Sequence, residues 1–72
     1  MKLEQFQKGA RIRHRNALDV DLWITKVMGT GPTSITFNTL YLNTHYNGSL
    51  IFSEPETVTI DHRHLGNWKL VS

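Results

Sequence analysis

The dipeptide Asn47-Gly48 is the feature that most constrains how this chain can fold. Both central residues of a type I′ turn need a positive φ, and asparagine followed by glycine adopts that conformation at the lowest cost. The flanking segments, 34–46 and 49–53, are rich in the β-branched and aromatic residues that are typical of strands. The sequence therefore predicts an antiparallel hairpin that joins these two segments.

The rest of the chain repeats this pattern of short strands separated by turn residues. Further strands are predicted over residues 10–15, 22–28, 57–61 and 68–71. Residues 16–21 form a polar connection, 29–33 a loop, and 62–67 a turn or a short helical turn. One helical turn is predicted near residues 3–7, and no segment has a sustained 3.6-residue periodicity.

The length of the chain, 72 residues, allows one small domain with a single core. It contains no cysteine, so neither disulfides nor thiolate metal sites can stabilise it. Five or six short strands must protect their edges, and a small barrel does so economically. We therefore expect an all-β fold, a small SH3-like barrel of about five antiparallel strands, with an OB-like barrel or a small β-sandwich as alternatives.

Positive charge is concentrated near the N-terminus. The first 15 residues carry five basic side chains and one acidic, a net charge of +4, whereas residues 16–72 carry three basic and five acidic, a net charge of −2. This polarity suits an anionic partner at one edge of the domain, and it equally suits ion pairs between the two parts of the chain.

The basic segment sorts its side chains onto two faces if it is a strand. Arg11, Arg13 and Arg15 would share one face, at intervals of roughly 6.6 Å, and the apolar side chains would lie on the other with His14. Arginine donates parallel hydrogen bonds to phosphate and stays charged at any working pH. The sequence therefore predicts a row of phosphate contacts.

Two further residues complete the predicted nucleic-acid-binding set. Lys8 would extend the positive field beside the arginines, and Tyr46, next to the predicted turn, is the aromatic residue most suited to stack on an unpaired base. Trp23 and Trp68 are expected in the core, because tryptophan is highly buried on average. The alternative for the arginines is a solvated strand face that pairs with Glu54 and Glu56.

The stretch Phe6-Gln7-Lys8-Gly9-Ala10-Arg11-Ile12-Arg13 resembles the first strand of small SH3-like domains of the KOW type, in which a glycine precedes a basic, alternating strand. The resemblance covers roughly residues 6–28. The family pattern often has an acidic residue directly after the glycine, where this chain has Ala10. The resemblance implies an SH3-like barrel, and KOW-type barrels often bind nucleic acid or ribosomal and polymerase partners.

The histidines and the remaining motifs give little support to other chemistry. His62 and His64 would share one side of an extended segment after Asp61, a spacing that could bind a metal, but surface histidines in a turn are the favoured interpretation. The chain has no Gly-x-Ser-x-Gly motif, phosphate-binding loop or dinucleotide fingerprint. We therefore expect a protein that is not an enzyme and needs no cofactor.

The sequence leaves three functional hypotheses open. The first is a small nucleic-acid-binding accessory protein that uses the basic strand. The second is a protein-interaction module or small inhibitor that docks an acidic partner surface or adds a strand at an open edge. The third is a subunit of a homo-oligomeric assembly. No membrane-spanning run or signal peptide is recognisable, so the expected location is the cytoplasm.

Overall fold

The computed structural model describes residues 1–43, 50–51 and 53–72, and within them the protein is all-β. Two 3₁₀ helices, Leu3–Gln5 and His62–Asn67, accompany the strands. The strands are β1 (Arg11–His14), β2 (Val20–Thr30), β3 (Ser34–Asn43), β4 (Leu50–Ile51), β5 (Glu56–Asp61) and β6 (Trp68–Leu70). The expected all-β class is confirmed, while the predicted Asn47-Gly48 turn lies outside the described residues.

All six strands belong to one antiparallel sheet. β1, β2 and β3 follow one another across it, and β6 returns along the far side of β1. β3 has two partners on its other side, β5 along Ser34–Thr39 and β4 along Leu42–Asn43. The sheet is thus five strand positions wide, and the pairing within the described residues does not close it into a barrel.

The inner face of the sheet carries the hydrophobic core. β-Branched and aromatic side chains alternate with polar ones along each strand, so one face collects the apolar set. Phe6, from the segment before β1, covers this face and stacks on Phe37 with ring centroids 5.8 Å apart. The buried core consists of Phe6, Ile12, Leu22, Ile24, Ile35, Phe37 and Ile60.

Two local irregularities shape the sheet next to β1. Gly9 has a φ of 90°, a conformation that glycine adopts at little cost because it has no Cβ. Its N–H donates to the carbonyl of Ile24 at 2.8 Å. The β2–β3 pairing shifts register between Ile24 and Lys26 and again between Val27 and Gly29. Such bulges bend a strand and increase its twist, which curves the sheet around its core.

The helices of the described part are short. Neither 3₁₀ segment has the length or apolar character that a bilayer-spanning helix requires.

Replacement of Phe6 tests whether the segment before β1 belongs to the core. We expect Phe6→Ala to lower the free energy of unfolding by about 3–5 kcal/mol, because it removes a buried aromatic ring and leaves a cavity. Urea denaturation followed by circular dichroism measures this change. Met28→Ala, at a side chain that is 52% exposed, is the control and should change the value by less than about 0.5 kcal/mol. Equal effects of the two substitutions would place Phe6 outside the core.

Candidate anion-binding face

The strand register brings the basic side chains of β1 together with residues of β2 and β6 on the outer face of the sheet. Arg13 is aligned with Asp21 of β2 and with Lys69 of β6, and Arg11 is aligned with Trp23. Directly aligned residues of paired strands project from the same face. We call the set Arg11, Arg13, Asp21, Trp23 and Lys69 the basic face.

A buried carboxylate holds the two arginines of the basic face. Asp21 is fully buried, and its Oδ2 accepts a hydrogen bond from Arg11 Nε at 2.7 Å. Its Oδ1 accepts from Arg13 Nε at 2.6 Å, and Arg13 Nη2 donates to Oδ2 at 3.3 Å. A buried charge is tolerated only when it is paired and hydrogen-bonded, and here both oxygens are occupied. The cluster contains two cations and one anion, so it keeps a net charge of +1.

Pairing with Asp21 fixes the arginines without burying them. Their side chains remain 28% and 30% exposed, and the hydrogen bond to Asp21 raises the pKa of Arg13 above its usual value. The side-chain entropy that arginines normally lose when they bind a ligand is therefore already lost in the folded protein. The alternative interpretation of the sequence pairs these arginines with Glu54 and Glu56. The structure instead assigns Asp21 to both, because β2 lies directly beside β1.

The other predicted contacts lie at the margins of this face or beyond it. Arg15 is exposed and follows the last residue of β1, so the row of arginines within the strand has two members rather than three. The Arg15 N–H donates to the carbonyl of Asn67 at 2.9 Å. Lys8 is exposed in the turn before Gly9. Tyr46 lies outside the described residues.

The prediction that Trp23 lies in the core is wrong. Its side chain is 38% exposed, because the alternation that directs Leu22 and Ile24 inward directs Trp23 outward beside Arg11. Trp68, in contrast, is half-buried and packs against the core, as expected. The alternation of β2 indicates an outward Trp23, whereas the average burial of tryptophan carries no information about which face it occupies.

A groove adjoins the exposed tryptophan. Its volume is about 240 Å³, and its lining comes from the turn before β1 and from the middle of β2: Lys8, Gly9, Trp23, Ile24 and Thr25. The groove thus combines an aromatic wall with an almost wholly apolar lining, and one basic residue, Lys8, borders it. Its proximity to Arg11, the aligned neighbour of Trp23, joins it to the basic face.

A larger apolar groove of about 400 Å³ lies between the end of β1, the start of β2 and β6. It is lined by His14, Ala17, Val20, Leu22, Tyr41 and Trp68, and contains no cation. His14 is half-buried, with its ring edge-on to Trp68 at 5.0 Å and its Nδ1 accepting from the Asn16 N–H. A hydrogen bond with Glu56 raises the pKa of Tyr41 above its usual value. This lining is not suited to an anion.

The Asp61–His64 segment forms the N-terminal cap and first turn of the second 3₁₀ helix. Asp61 caps the second 3₁₀ helix, where its Oδ1 accepts from the Arg63 N–H at 2.9 Å and from Arg63 Nε at 3.0 Å. His62 and His64 lie in a helix with three residues per turn, so the extended spacing that could have paired them does not occur. No group of three or more potential metal ligands is found within the described residues.

Comparison of the chain with known protein families, with curated proteins and with solved structures found no match.

Replacement of Asp21 tests whether its carboxylate stabilises the fold. We expect Asp21→Asn to lower the free energy of unfolding by about 3–5 kcal/mol, because two partly buried arginines lose their shared anion. Chemical denaturation at neutral pH measures the difference. Asp19→Asn makes the same change at an exposed position two residues away and should alter stability by less than about 0.5 kcal/mol. A change below about 1 kcal/mol in Asp21→Asn would mean that the ion pairs are not needed for stability.

The Asp61 cap predicts a specific pH dependence of stability. Hydrogen bonds from the Arg63 N–H and then from the Arg63 side chain lower the pKa of Asp61 in the folded protein. A carboxyl group of this kind stabilises the fold above its unfolded-state pKa of about 3.9, and the contribution disappears as the pH falls through the folded-state value. We therefore expect Asp61→Asn to melt at a lower temperature than the wild type near neutral pH. The difference in melting temperature between the two proteins should decrease as the pH is lowered from about 4 towards 2. A difference in melting temperature that stays constant over this pH range would exclude a charge-dependent cap.

Proposed function

We propose that this protein binds nucleic acid through the basic face, by contacts to phosphates and without catalysing a reaction. The observation that carries the proposal is the pair of arginines that one buried carboxylate holds on a partly exposed face. Guanidinium groups fixed in this way can contact phosphate oxygens with little further loss of side-chain freedom. Lys69 is aligned with Arg13 on the same face and adds a third cation.

The distribution of charge supports an anionic partner of this kind. Asp21 neutralises one positive charge of the basic face, so the face keeps a positive balance with Lys69, and exposed Lys8 and Arg15 lie at its margins. Phosphate contacts of this type release counterions and depend little on base sequence. The resemblance of residues 6–28 to KOW-type domains supports the same class of partner.

Binding should be measured by fluorescence anisotropy with labelled single- and double-stranded DNA and RNA, from about 25 to 200 mM salt. The variant of choice is the double substitution Lys8→Gln/Lys69→Gln. Substitution of Arg11 or Arg13 would also disturb the buried Asp21, and loss of binding could then reflect loss of the fold. Lys2→Gln/Arg63→Gln removes the same charge from outside the basic face and is the matched control.

We expect affinity to fall linearly with salt on logarithmic axes, because each phosphate contact releases counterions. The Lys8/Lys69 double variant should bind several-fold more weakly and reduce the magnitude of the salt slope by about 1–2, whereas the control should match the wild type. Absence of binding at the lowest salt would refute the proposal and favour a protein partner with an acidic surface. Equal weakening in both double variants would show that only net charge matters, and not this face.

A further inference from the structure

Trp23 is an exposed aromatic side chain beside the cations of the basic face. It is 38% exposed, and its aligned neighbours are Arg11 of β1 and Leu40 of β3. On the basis of the proposed function, we infer that the nucleic acid is single-stranded. One unpaired base stacks on Trp23, and the adjacent phosphate contacts the Arg11–Arg13 pair.

The inference depends first on which surfaces of a nucleic acid can reach an indole ring. In a duplex the faces of the bases are stacked on one another, and a protein contacts their edges or the backbone. Only unpaired bases present a face on which an aromatic side chain can stack. A surface that recognised duplex backbone alone would have no use for an exposed tryptophan among its cations.

The surroundings of Trp23 are suited to a base with an attached phosphate. The groove of about 240 Å³ beside its ring is lined almost entirely by apolar surface, and the basic residue Lys8 borders it. Gly9 brings bare backbone to the same groove, so no side chain of that residue fills it. A planar apolar group can therefore lie in the groove, next to the basic residues Lys8 and Arg11.

The stacking surface and the cations also form one rigid unit. Arg11 lies directly across the strand pair from Trp23, and its Nε is held by Asp21 at 2.7 Å. Because Asp21 and Trp23 are both on β2, the distance between the ring and the guanidinium is set by the sheet and not by a loop. Asp21 thus acts as a positioning residue for the arginines.

Three probes of equal length separate stacking from charge. They are a single-stranded 12-residue oligothymidylate, a 12-base-pair duplex, and a 12-unit abasic deoxyribose phosphate that carries the same backbone charge without bases. Each is titrated against the wild type, Trp23→Ala and Trp23→Phe, with Met28→Ala as the control for loss of an exposed apolar side chain on the same strand. Denaturation curves of each variant confirm that it is folded.

We expect the wild type to bind the oligothymidylate about tenfold more tightly than the abasic strand, which is within the range measured for one stacked base. It should also prefer the oligothymidylate to the duplex. Trp23→Ala should lose this preference and still bind the abasic strand normally, Trp23→Phe should keep part of it, and Met28→Ala should resemble the wild type.

The possible failures can be told apart. Equal binding of the oligothymidylate and the abasic strand, unchanged in Trp23→Ala, overturns the stacking inference and leaves phosphate binding by the basic face intact. Preference for the duplex also overturns it. Failure of all three probes to bind at low salt refutes the proposed function, and this inference with it.

Discussion

The buried carboxylate of Asp21 is the interaction on which the outer face depends. Two arginines on alternate positions of one short strand would repel each other and would fluctuate independently in solvent. Asp21 offsets this repulsion, orders both side chains, and links β1 to β2 through side chains as well as backbone. Stability and candidate function thus share one group of atoms, which is why the lysines, and not the arginines, are the informative positions for binding experiments.

The inner face of the sheet forms the hydrophobic core, and the outer face carries the surface proposed to bind a partner. The segment that contains Phe6 packs across the inner face and completes the core, whereas the outer face carries Arg11, Arg13 and Trp23, which remain partly exposed. In a chain of 72 residues this division is economical, because one sheet supplies both the core and the surface proposed to bind a partner. The second 3₁₀ helix then leads from β5 to β6 and returns the chain to β1.

Most strands could be predicted because strand alternation and turn residues are local signals. The segments 22–28, 57–61 and 68–71 lie within or close to β2, β5 and β6. Asp21 could not be placed in this way, because an acid before an apolar run is typical of a connection. Only the non-local pairing of β1 with β2 brings it to Arg11 and Arg13. Whether the strands close into a barrel also depends on non-local pairing. The candidate site was therefore found only in part, with the arginines identified but neither their partner nor the exposed Trp23.

The edges of the sheet have a consequence for self-association. β6 has three residues and β4 has two, and β5 starts directly after Pro55, which has no N–H to donate. An incoming strand would therefore meet only a short row of backbone donors and acceptors along β6, and natural sheets use such short edges to avoid aggregation. Growth of the sheet across β6 from one molecule to the next is therefore disfavoured, which suits a fold that exposes Trp23 on its outer face.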